Sequence, residues 1–138
     1  GDSWAQYMSD DGTYNKVFDK FGHADKDLVG PSLGANPGPG YSGTEYAISG
    51  SEAKHWADRV NYPWITNVIN EINANPSIET VILSIGGNDI LAGKSGGGWY
   101  KDMDLDVPGS EAALFATIKA NTFVIIDDIL LRTQFRLT

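Results

Sequence analysis

Three short stretches carry residue types that can do chemistry together: Gly1-Asp2-Ser3, Ile48-Ser49-Gly50 and Gly86-Gly87-Asn88-Asp89. A serine that attacks an ester carbonyl needs donors aimed at the oxygen that turns negative in the tetrahedral intermediate. A glycine backbone N–H approaches such an oxygen closely, because no Cβ stands in the way. An asparagine amide adds a donor with no charge to desolvate. The N–H of Ser3, at the head of a helix, supplies a third. Ser3, Gly50 and Asn88 therefore read as a nucleophile with an oxyanion hole. Singly, each has a plainer reading: Ser3 as a helix cap, Gly50 as a turn glycine and Asn88 as a loop asparagine.

Such residues need elements to bring them together. In an open α/β sheet, sites form just beyond the carboxyl ends of the strands, and the three stretches fall at three such ends. The strongest strand is Thr80-Val81-Ile82-Leu83-Ser84-Ile85, a nearly continuous apolar run of the kind buried in a parallel sheet. Residues 45–48 read as a short buried strand, followed by a helix with Ser51 as cap and Glu52 in its first turn. A strand ahead of Gly1 is implied rather than present. Between these lie helices. Thr13 opens one carrying Val17, Phe18 and Phe21, stopped by Gly22. Pro63 suits the first position of another, with Ile65, Val68, Ile69 and Ile72 on its apolar face and Asn75-Pro76 at its end. Ser110 caps the longest, whose face is Phe115, Ile118, Thr122, Ile125, Ile126, Ile129 and Leu130. The glycine- and proline-rich residues 30–43 read as a surface loop. Strands alternating with helices predict an α/β fold with a parallel sheet.

The 138 residues make one domain at most, with the composition of an ordinary soluble globular protein. A net charge of −8 and no basic run argue against nucleic acid or an anionic membrane as partner. No apolar run is long enough to span a bilayer. With no cysteine there is neither a disulfide framework nor a thiolate metal site.

In order and spacing, the three stretches resemble blocks I, II and III of the SGNH (GDSL) hydrolases, and Gly86-Gly87-Asn88-Asp89 matches that family's Gly-x-Asn-Asp in full. The resemblance implies a three-layer, flavodoxin-like α/β fold and a serine-dependent esterase or lipase working through an acyl-enzyme. It implies Ser3 as nucleophile, with Gly50, Asn88 and the Ser3 amide as oxyanion donors. No cofactor or metal is implied. Lipid esters, acetylated sugars and thioesters all remain open as substrates. Many members of the family are secreted, and the absence of cysteine is compatible with export. The family's Asp-x-x-His, which carries the base and its orienting acid, occurs nowhere in these residues. On that ground the chain reads as a single partial domain over 1–138, incomplete at both ends, with the base on an unseen segment or companion chain. The alternative is a non-catalytic α/β module for a ligand or carbohydrate that has lost the base.

Other candidates read more plainly. Glu52 and His55, at i and i+3, could be half a metal site or a stand-in base, but a solvated helix pair is the simpler expectation. His23 reads as a surface residue near a helix end. Asp102, Asp104 and Asp106 alternate as in a calcium loop, yet Val107 occupies the place of the sharp-turn glycine. Trp99 and Tyr100 could line a substrate cleft. Gly1-Asp2-Ser3-Trp4-Ala5 fails the Gly-x-Ser-x-Gly elbow of α/β-hydrolases at Ala5.

Overall fold

Helical periodicity and its stop signals decide most of what forms in the computed structural model, which describes residues 1–2, 5, 7–8, 12–23, 32–33, 40, 46–91 and 108–135. Helix α1 spans Thr13–Lys20, with Gly12 rather than Thr13 as its cap. It ends where expected, through a Schellman pair in which His23 N–H donates to the Phe18 carbonyl (2.8 Å) and Gly22 N–H to that of Asp19 (3.1 Å). Its apolar stripe is not buried, however: Val17 and Phe21 are exposed.

Helix α2 spans Ala53–Ala57, α3 Trp64–Ala74, α4 Gly87–Leu91 and α5 Ser110–Arg132. Pro63 sits just before α3 rather than inside it, and its carbonyl accepts from Thr66 and Asn67. Along α3, Trp64, Ile65, Ile69 and Ile72 are buried, as the spacing predicts. Gly109, not Ser110, caps α5. The buried side of α5 holds Leu114, Ile125, Asp128 and Ile129, whereas Phe115, expected inside, is 47% exposed. Apolar residues lie all round this helix, so periodicity alone cannot choose its inner face.

The helices bury their apolar sides on one another. Helices α2 and α3 pack on α5, and one cluster of Ile48, Trp56, Trp64, Ile65, Ile69, Ile72, Ile125 and Ile129 forms the core.

This overturns the expected α/β architecture. The chain is mostly helical, 59% helix against 2% strand with five helices among the described residues, and those residues form no parallel sheet on which helices could layer. Among the described residues strand is confined to one two-residue parallel pairing of β1 (Ser32–Leu33) with β2 (Ala47–Ile48), in register Ser32 to Ala47 and Leu33 to Ile48. β1 lies inside the stretch read as a surface loop. Residues 80–85 form no strand: their backbone bond to another segment is Asp2 N–H to the Ser84 carbonyl (2.9 Å), and Ile82 and Leu83 are 41% and 37% exposed. An apolar run becomes a parallel strand only when ladders form on its edges and helices cover both faces. Here Val81 and Ile85 pack against the helical core while Ile82 and Leu83 stay exposed, so the segment is not covered on both faces.

Candidate functional site

The first two residues are stitched between the end of β2 and residues 80–85. The Gly1 carbonyl accepts from Ile48 N–H (2.9 Å) and from the Ser51 hydroxyl (3.3 Å), and the Gly1 nitrogen donates to the Tyr46 carbonyl (2.8 Å). A Cβ on Gly1 would meet Ala5 Cβ at 2.5 Å and the Ser84 carbonyl oxygen at 3.0 Å, so only glycine lets the backbones come this close. Asp2 is buried. Ser3, the expected nucleophile, lies outside the described residues.

Gly50 occupies the third position of a turn closed by Ser51 N–H to the Ile48 carbonyl (3.1 Å), with φ of 73°. A positive φ at that position selects glycine. The next residue, Ser51, is fully buried and organises the cluster. Its hydroxyl donates to Gly1 and accepts the Trp56 indole N–H (2.9 Å). It does not cap the following helix, a task Glu52 performs instead.

Asn88 and Asp89 sit in the first turns of α4. The Asn88 amide donates to the Ser51 carbonyl (3.0 Å). Asp89 is buried, and both its carboxylate oxygens accept the Ala53 N–H (2.9 and 3.1 Å), satisfying an otherwise orphan donor at the start of α2. Of the three expected site residues, then, Gly50 and Asn88 flank the same buried serine, and Gly1, two residues before Ser3, bonds to it as well.

Burial pushes the Asp89 carboxyl above its ordinary 3.8, against the opposing bond from Ala53. A raised carboxyl favours the folded state in its protonated form. That stabilisation is complete below 3.8 and is lost as pH rises through the raised value. Asp89→Asn keeps one acceptor for Ala53 and removes the titration. Its stability relative to wild type, followed by urea unfolding from pH 3 upward, is expected to improve as pH rises. A pH-independent difference would contradict the assignment.

Glu52 and His55 are not a solvated pair. His55 is buried, and its Nδ1 accepts the Glu52 N–H (3.1 Å) while the Glu52 side chain accepts the His55 N–H, a reciprocal capping box. With Nδ1 accepting, the neutral ring carries its proton on Nε2. The ring also stacks on Tyr62 (4.6 Å between centroids) and meets the edge of Trp64 (5.9 Å). His55 is a structural residue and has no free lone pair for a serine proton. His23 is exposed beyond α1, as expected.

Beside His55 an open cleft of about 450 Å³ is lined by Lys54, Asp58 and Tyr62 and, from α5, by Asn121 and Val124. Asp58 is occupied there: it accepts from Val60 N–H, Asn61 N–H and the Asn61 amide. The Asn61 side chain, above all, holds it below its ordinary value. Among the described residues no three side chains group as metal ligands, and no helix is long and apolar enough to cross a membrane. Trp99, Tyr100, Asp102, Asp104 and Asp106 lie outside the described residues.

Sequence reasoning missed Ser51 as the hub and Asp89 as the acceptor for the Ala53 N–H, because the Gly1–Ser51 and Ala53–Asp89 bonds join residues distant in the chain. No family model, no curated protein and no solved structure matches this chain.

Proposed function

We propose that this chain carries the nucleophile and oxyanion hole of an SGNH-type serine ester hydrolase. The observation that supports this most is one bonded relay. Asn88 donates to the Ser51 carbonyl, and the Ser51 hydroxyl donates to the Gly1 carbonyl, joining stretches 37 and 50 residues apart. The Ser3 hydroxyl oxygen attacks the acyl carbonyl of a small-molecule, carbohydrate or lipid ester. The oxyanion accepts hydrogen bonds from the backbone N–H groups of Ser3 and Gly50 and from the Asn88 amide. An amide nitrogen has two N–H donors, and the bond to Ser51 uses one of them.

The serine proton needs an acceptor, and His55 is committed elsewhere. It passes to a histidine on a companion segment or chain bearing the missing Asp-x-x-His, then to the departing alcohol. Water next attacks the acyl-enzyme, the same histidine takes its proton, and the carboxylic acid leaves as Ser3 is regenerated.

Fluorophosphonate treatment of the native protein, with any chain it holds, followed by intact mass measurement, tests this reading. One adduct mapping to Ser3 and absent from Ser3→Ala is expected. A native preparation that hydrolyses esters yet is labelled elsewhere overturns it. The absence of Asp-x-x-His from these residues favours one other reading, a ligand- or carbohydrate-binding module without catalysis. That reading predicts no adduct and no hydrolysis.

A further inference from the structure

Helix α5 presents a ridge that is complementary to itself reversed. Phe115, Lys119, Phe123, Asp127 and Leu131 follow one another at intervals of four, and all five are exposed, with Leu131 at 66% and Phe123 at 52%. Residues four apart stack into a continuous ridge, here about 24 Å long. A neighbouring ridge of Ala112, Ala116, Ala120 and Val124 is also exposed and forms a shallow strip alongside. Read forwards, the first ridge runs apolar, cation, aromatic, anion, apolar; read backwards, the charges exchange places.

We propose that this face is a homodimer interface in which two copies of α5 cross antiparallel about a two-fold axis at Phe123. Packing of i, i+4 ridges into the matching grooves of a second helix is the commonest helix–helix geometry. About that axis Lys119 meets Asp127 of the second copy, Phe115 meets Leu131, and Phe123 meets itself, each pairing occurring twice except the last. Within one chain Lys119 and Asp127 are two turns apart, beyond ion-pair reach of each other, whereas across the axis the two come together. Lys119 already lies over the Phe123 ring, 5.8 Å from its centroid, beside the proposed axis. The chain as a whole carries −8 and repels its copies, whereas this ridge bears one charge of each sign. That pattern suits a second copy better than an anionic lipid surface, which would ask for an excess of cations.

Sedimentation velocity of the 138-residue chain is expected to show a dimer. Lys119→Glu and Asp127→Lys should each weaken it by at least about tenfold, because like charges then face each other twice. Mixing the two variants should restore association, since the reversed charges pair again across the mixed dimer. The chain has no cysteine, so Phe123→Cys adds a single thiol at the axis. Mild oxidation should link it to its copy much faster than Thr117→Cys on another ridge. A monomer at the highest soluble concentration overturns the proposal, including a monomer that binds lipid vesicles through this face. So does a dimer indifferent to both charge reversals, or equal rates of linking for the two cysteine variants.

Discussion

Trp64→Ala is expected to cost about 3–5 kcal/mol of folding stability, the usual loss for emptying a large aromatic site. Against a total of about 5–15 kcal/mol for a domain, that leaves the chain barely folded or unfolded. Trp64 is fully buried at the start of α3. Its ring meets Trp56, Tyr62 and His55 edge-on at centroid distances of 5.4, 4.9 and 5.9 Å. These residues come from α2, from the connection that follows it and from α3, so one side chain joins the segments that frame the candidate site. Trp64→Phe separates packing from polarity. The indole N–H is buried and has no acceptor among the described residues. Phenylalanine removes that desolvated donor, a saving of about 1–3 kcal/mol that offsets part of the lost volume. Urea unfolding followed by far-UV circular dichroism should therefore place Trp64→Phe close to wild type and Trp64→Ala far below it. Two variants of equal stability would show that the ring is not the centre of the core.

How far the sequence discloses this fold follows from the range of each signal. The extents of α1, α3 and α5 were legible because helical periodicity, Pro63 and Gly22 act within a few residues. The exposed stripe of α1 and the true inner face of α5 were not, since burial depends on what packs there. Residues 80–85 mislead for the same reason: a run of Val81, Ile82 and Leu83 describes an apolar segment, while a strand is defined by its partners. At the candidate site, the sequence singles out Gly50 and Asn88 by type and spacing, and their catalytic role stands as proposed above. Ser51 is not singled out, because its hydroxyl partners are the Gly1 carbonyl and the Trp56 indole, and nothing local marks either. The box of Glu52 and His55 escaped notice because its residue types depart from the usual Ser or Thr followed by Glu or Gln. Here a carboxylate accepts at the cap and an imidazole accepts at the third position.

Asn88→Ala should lower kcat for ester hydrolysis by about two to three orders of magnitude in the fluorophosphonate-reactive preparation, the usual consequence of removing one oxyanion donor. The competing account is structural, since the same amide holds the Ser51 carbonyl at 3.0 Å. The two accounts differ in magnitude and in which quantity moves. Losing a neutral hydrogen bond costs about 1 kcal/mol of stability and leaves turnover little changed once the protein is folded. Losing an oxyanion donor acts on the transition state, so kcat and kcat/KM fall together while KM stays put. Asn88→Asp sharpens the distinction. An ionised carboxylate has no hydrogen to donate to Ser51 or to substrate, and it sets a negative charge where another must develop. Its activity should fall below that of Asn88→Ala. Near-full turnover in Asn88→Ala, measured with an activated acetyl ester beside urea unfolding of the same sample, would leave Asn88 as a brace for the Ser51 turn and remove it from the chemistry.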